Sequence, residues 1–301
     1  MYKQGRLMVK AMRNLRQFII LLLCGLAALF FAIPIFITFT NSFMSGFEIL
    51  NRYTMDVLPT NYFYRLEVFP RIHFVRMAVL PDRVTFRQYF NLFQNTLYMN
   101  SLWNSIIITA PSAIGQLIVA VPAAYAFEFS KWRHKEKLFF VYIVVMLMPL
   151  PVVLVPQFVI AGFLGISESI FAVILPAVFG PFGVFLLRQF MKNLQYECIE
   201  AAKLDGAGNL RILTGIVSPL LKPAIAALAL LTFIDYWNVV DQAIVFIKDP
   251  VFEPLSVALS RFRNNYDIVF AASFFYMLPA LLVFLYGQEQ LVEGMKMSGL
   301  K

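Results

Sequence analysis

Six long apolar runs, separated by polar stretches, constrain this 301-residue chain more than anything else in it. They lie at Phe18–Phe39, Leu102–Phe127, Leu138–Gly162, Ile170–Phe190, Ala224–Ile247 and Val269–Tyr286. Each is close to the ~20 residues that a helix needs to cross the hydrocarbon core of a bilayer. The chain is 60% hydrophobic and only 14% charged. A soluble domain carries about 25% charge, and nothing but lipid solvates this much apolar surface. In lipid every backbone N–H and C=O must find its partner within the protein, which favours helices. The expected fold is all-α: a polytopic membrane protein with six transmembrane helices.

The formal net charge of +8 is a matter of topology. Lys3, Arg6, Lys10, Arg13 and Arg16 precede the first run, and Lys131, Arg133, Lys135 and Lys137 precede the third. Arg188, Lys192, Lys203, Arg211 and Lys222 lie around the stretch between the fourth and fifth, and Lys296 and Lys301 come after the sixth. With the N-terminus inside, these all fall on the cytosolic side, as the positive-inside rule requires, so both termini are expected in the cytosol of a cell-membrane protein. Basic and aromatic residues do not interleave as in a nucleic-acid interface, and no nucleic-acid partner is expected. The first run is too long for the apolar part of a signal peptide and lacks a small-x-small cleavage site, so it is expected to stay as a membrane helix. Cys24 falls in a span and Cys198 in a cytosolic loop, which argues against a disulfide. His73 and His134 lie on opposite sides of the membrane, and no metal-ligand cluster is expected.

This reading divides the chain into a cytosolic N-terminus (1–17), a first membrane helix (18–39), an extracellular segment (40–100), a transmembrane core (95–290) with a loop at 191–222, and a cytosolic tail (291–301). The outer segment, punctuated by Pro59, Pro70 and Pro81, reads either as a partly folded cap or as a docking surface. Prolines also recur inside the spans, at Pro34, Pro111, Pro122, Pro149, Pro151, Pro156, Pro176, Pro181 and Pro279. Each removes a backbone donor, tolerable in a membrane only where neighbouring helices or a wet cavity satisfy the freed carbonyl. The crowding of Pro149, Pro151 and Pro156 predicts kinked or broken helices around an interior pathway.

The loop is the most informative polar stretch. Tyr196 to Asp205 reads as a short amphipathic helix, with Ala201 and Ala202 small enough for another surface to approach closely. Asp205-Gly206 is a stop signal, since Gly206 can take the left-handed conformation that closes a helix. Asn209 is expected to cap a second helix with Leu210, Leu213 and Val217 on one face, and Pro219 and Pro223 frame the entry to the fifth span.

Glu200-Ala201-Ala202, then Gly206, then Ile216 and Pro219 at this spacing resemble the EAA loop of permease subunits of ATP-binding-cassette importers. Leu204 and Asp205 lie within the same motif. Phe233 to Asn238 resembles the Trp-Asn signature of the sugar-importing, maltose-permease-like branch, and Leu291–Lys301 resembles its C-terminus. Ser218 departs from the pattern, standing where the family usually has leucine. The resemblance implies a type I importer permease fold from about residue 95 onward, with coupling helices that seat in a groove of an ATPase subunit. It further implies a second permease subunit as heterodimer partner, two ATPase subunits, an extracellular solute-binding protein, and a carbohydrate as cargo. Glu200, Ala201, Ala202, Leu204, Asp205, Gly206, Ile216 and Pro219 would carry the coupling.

The chain has no Gly-x-x-x-x-Gly-Lys-Ser/Thr loop to cradle phosphates and no nucleophile–base constellation. It is expected not to be an enzyme and to hold no cofactor, with ATP and Mg²⁺ on the partner ATPase subunits. Asp235, Asn238, Asp241 and Gln242 recur at helical spacing in the fifth span and are expected on one face. A carboxylate near mid-membrane is costly unless it faces a bundle interior or a wet cavity. These residues, with Tyr236 and Trp237 as rings that could stack on a sugar, are candidates for the substrate pathway; the alternative is interhelical hydrogen bonding that holds the bundle together. Peptide or polyamine import by the same machinery, or a self-contained secondary transporter, are the competing readings.

Overall fold

The computed structural model describes residues 2–53 and 79–299, with side chains over 14–50, 52–53, 79–262 and 265–290. The middle of the expected extracellular segment, with Pro59, Pro70 and His73, lies outside the described residues, as do the side chains of the tail from Leu291 to Lys301. Among the described residues every regular element is a helix. Four are long and apolar enough to cross a membrane: Asn14–Asn41, Thr96–Phe129, Phe171–Met191 and Val269–Gln290. Two bent pairs, Lys135–Met146 with Leu150–Phe163 and Asn209–Leu220 with Lys222–Trp237, raise the number to six if each pair is one span.

The chain forms two compact units. The first comprises Met1–Gln94 and Phe262–Phe275. It holds α1 (Tyr2–Asn41), α2 (Gly46–Tyr53) and α3 (Arg87–Gln94). Gln88 on α3 is buried and ties the unit together: its Nε2 donates to the carbonyls of Asn41 (2.9 Å) and Met44 (2.8 Å), and its Oε1 accepts from the Ala271 amide (3.2 Å). Phe39, Phe43, Phe86 and Tyr89 form a ring cluster beside these bonds. Arg52 closes the surface, paired with Glu48 (3.2 Å) and Asp82 (2.5 Å).

The second unit comprises Asn95–Arg261 and Tyr276–Lys301. Its axis is α4 (Thr96–Phe129), capped where Asn95 Oδ1 accepts from the Tyr98 amide at 3.0 Å. Around it run α5 (Lys135–Met146), α6 (Leu150–Phe163), α7 (Phe171–Val178) and α8 (Pro181–Met191). They are followed by α9 (Tyr196–Leu204), α10 (Asn209–Ile212), α11 (Ser218–Leu220) and α12 (Lys222–Trp237). Then come α13 (Asp241–Phe246), α14 (Leu255–Ala258) and α15 (Val269–Gly299), the last beginning in the first unit. Along α4 the buried residues Ser101, Ser105, Thr109, Ser112, Gln116, Ala120 and Ala124 recur every three or four positions. Apart from Gln116 these side chains are small and let neighbouring backbones approach closely, which is how helices associate where lipid offers no hydrophobic drive. One crossing is especially tight: a Cβ on Gly183 of α8 would stand 3.1 Å from Ala120 and 3.2 Å from both Gln116 and Leu228, so its neighbours would have to give by a few tenths of an ångström.

The prolines divide as their surroundings dictate. Pro111 and Pro122 sit within the unbroken α4, whereas Pro149 caps α6 and Pro151 opens it. The expected third span is therefore folded by 107° between α5 and α6. The expected fifth span does not run to Ile247: α12 ends at Trp237, Val239 and Val240 are non-helical, and α13 begins at Asp241. Asn238 Nδ2 donates to the Ile234 carbonyl at 2.8 Å, competing with the ladder, and the β-branched pair after it does not restore it. The four polar residues of this region consequently do not share one helical face.

One buried charge organises the other end of the unit. Arg188 on α8, 2% exposed, pairs with Glu128 Oε2 (3.1 Å) and Glu136 Oε1 (2.5 Å) and lies 4.0 Å over the Phe139 ring. It thereby fastens α8 to the α4–α5 connection. Glu136 is mostly exposed and contributes little, while Glu128 is mostly enclosed and depends on the guanidinium. Arg188→Met should destabilise the detergent-solubilised protein by about 3 kcal/mol, because it leaves the Glu128 carboxylate unpaired. Adding Glu128→Gln should recover at least half of the loss of thermal midpoint; an additive double variant would refute the pairing.

Candidate functional site

Two sites emerge, a shaped loop and a cleft, both in the second unit. The loop begins with α9, whose Ile199 is buried among Phe190, Met191 and Ile212 while Glu200 and Ala201 face outward. Its end is a complete Schellman closure: the Gly206 amide donates to Lys203 (3.1 Å) and the Ala207 amide to Ala202 (2.9 Å). Gly206 carries φ +80°, and a Cβ there would meet nothing within 4 Å, so glycine is favoured by backbone conformation rather than space. Ala202 and Ala207, the two residues joined by the wider of these turns, both pack on the core beneath.

The second half differs from expectation in two ways. Gly208, in extended conformation, occupies the N-cap of α10, and the Asn209 side chain instead accepts from the Tyr125 hydroxyl at 3.4 Å. Leu213 and Val217 are buried as anticipated, with Ile212 and Leu221, but Leu210 is 74% exposed. It sits in the first turn, beyond the reach of the core, and Leu213–Val217 then widen into a π turn that shifts the register of the helix beyond it. Ile216 is half-buried and Pro219 exposed. The outcome is a tip bearing two bare leucines, Leu204 (89% exposed) and Leu210, on either side of Asp205 and Gly206.

The cleft, about 990 Å³, is walled by α5, α6, α7, α8 and α12 with Gln116 of α4. Asp235, Tyr236 and Gln242 line it, and all three also line an adjoining hollow of about 230 Å³ together with Asn238 and Asp241. Five of the six candidate pathway residues thus gather on two adjoining hollows, although a break in the helix, not a continuous face, brings them there. Trp237 reaches neither. Its ring stacks between Phe233 (5.7 Å) and Tyr276 (5.9 Å), and its indole N–H donates to the Tyr276 carbonyl at 3.1 Å. The indole is thereby buried away from both hollows, and of the two rings expected beside a sugar only Tyr236 lines them. Asn238 is partly engaged too, accepting from the Tyr276 hydroxyl at 2.6 Å.

Sequence reasoning passed over three polar residues of the cleft. Gln116 and Thr232 are hydrogen-bonded to each other across α4 and α12, and Gln157 on α6 has an enclosed Oε1 without a partner among the described residues. All lie within apolar runs, so the argument applied to Asp235, that polar groups in a span need a reason, would have found them.

The chain resembles known proteins along most of its length. A family model described as the binding-protein-dependent transport system inner membrane component matches residues 116–296. The melibiose/raffinose/stachyose import permease protein MelC of Bacillus subtilis is 31% identical over 74% of this chain and 83% of its own. The arabinooligosaccharides transport system permease protein AraQ of the same organism is 26% identical over 73% and 80%. In fold, the chain is similar to one in the crystal structure of a bacterial ABC transporter involved in the import of the acidic polysaccharide alginate, with a TM-score of 0.75 at 24% identity, covering 92% of this chain and 96% of that one. These likenesses lead to one placement: the chain belongs to the family of inner membrane components of binding-protein-dependent transport systems.

Proposed function

We propose that this chain is one permease half of an ATP-driven importer whose cargo is a carbohydrate delivered by an extracellular solute-binding protein. The observation that carries the reading is the loop tip. A Schellman-closed turn that holds Leu204 and Leu210 bare, beside exposed Glu200 and Ala201, is a costly surface unless a partner covers it. In this reading the tip lies in the cytosol with both termini and seats in a groove of an ATPase subunit. ATP and Mg²⁺ are held there, and this chain performs no catalysis. A second permease faces the cleft and completes the pathway, and two ATPase subunits serve the pair. Carbohydrate cargo is supported by relatives named for arabinooligosaccharide and raffinose-type sugars. The cleft suits such a cargo: apolar walls for the C–H faces of a sugar, with a few polar groups set among them. A self-contained secondary transporter would have no use for the loop, and peptide or polyamine cargo has no support among these relatives.

The mechanism rests on how the loop is anchored. Closure of the ATPases on ATP would draw the tips of two permeases together. Because Ile199, Ala202, Ala207 and Ile212 are packed into the same core as α4, α8 and α12, that displacement would reach the walls of the cleft.

Leu204→Glu should abolish ATP-driven sugar uptake in proteoliposomes and strip the ATPase subunits from the purified complex, while leaving the amount of chain in the membrane unchanged. Full uptake would refute the docking role. Gly206→Val should reduce uptake at least tenfold, because φ +80° is a strained conformation for a β-branched residue, whereas Gly206→Asn should retain most of it. Equal behaviour of the two variants would show that the turn geometry does not matter.

A further inference from the structure

We propose that Asp235 and Asp241 make the cleft reject anionic solutes, so that the carbohydrate it passes is uncharged; this rests on the permease reading above and narrows its substrate class. Among the described residues, the two adjoining hollows are lined by these two carboxylates and by no lysine, arginine or histidine. Neither carboxylate has an ion-pair partner among those residues. Arg188 stands in contrast, since there the same unit neutralises a buried charge twice over. Asp235 is left open to the space a solute would occupy.

Hydrogen bonding points the same way. The exposed Asp235 carboxylate, at the wall of the cleft, accepts only. A ligand group set beside it must donate, which sugar hydroxyls do and carboxylates do not. An anionic group held about 7 Å from Asp235, between apolar walls, would meet repulsion that lowers its occupancy on the order of tenfold. Discrimination of this kind works by excluding the wrong solute rather than by holding the right one harder.

The test reads the local field directly in the whole transporter reconstituted in nanodiscs. Cys24 and Cys198 are first replaced by serine, and Leu231→Cys is introduced. Leu231 is exposed, lines the cleft and precedes Asp235 by one helical turn. Rates of modification are then compared for a cationic and an anionic methanethiosulfonate of similar size. The cationic reagent should react faster, and the ratio should fall about tenfold in Asp235→Asn, with a smaller fall in Asp241→Asn. A ratio unmoved by either substitution overturns the proposal. So does ATP-driven uptake of a uronic-acid trisaccharide as fast as that of its neutral counterpart. Loss of all carbohydrate uptake alongside an intact charge ratio would instead count against the permease reading, so the two failures are distinguishable.

Discussion

In a hydrocarbon solvent a peptide group cannot borrow a hydrogen bond from water, and the second unit is arranged around the places where its helices stop obeying that constraint. The ladder is interrupted near Leu147–Pro149, at Phe179–Gly180 and between Asn238 and Val240. Met148, Leu150, Phe179, Gly180, Asp235 and Tyr236, at or beside those interruptions, all line the cleft. Unbroken helices such as α4 stand behind them as support. Irregular backbone and cavity are thus two views of one feature, because free carbonyls and amides are tolerable only where a wet space can reach them.

Polar side chains divide in a similar way. On α4, Ser105 accepts from the Leu255 amide (2.8 Å) and Asn104 donates to the Val251 carbonyl (2.7 Å), so these groups fasten the bundle. Gln116 serves both purposes, since it is bonded to Thr232 and also borders the cleft. The alternatives of structural glue and functional lining are therefore not exclusive along one helix: position relative to the cavity decides which applies.

Much of this was legible in the residues. Spans could be read from apolar length, the break in the third from crowded prolines, and the glycine closure from Asp205-Gly206. What could not be read depended on tertiary context. Val239 and Val240 are apolar enough to continue a span, and only the competition from Asn238 and the packing of Trp237 on Tyr276 show why the helix ends there. Leu210 matched the period of Leu213 and Val217, but periodicity does not reveal how far the core extends, and the core stops short of it. Trp237 looked like a sugar platform because an aromatic residue beside polar ones is ambiguous until the space on both faces of its ring is known.

The glycine at the crossing of α8 with α4 and α12 has a mechanical meaning. A methyl group at Gly183 would fit only if its neighbours gave by a few tenths of an ångström, so the three helices are closely packed there and have little slack. Ile199 and Ile212, under the loop, are seated in the same packed cluster as Ala120 and Leu228 beside that crossing. In the proposed importer, a load applied at the tip would then be delivered more as travel than as compression, and a looser joint would dissipate more of the stroke before it reached the passage.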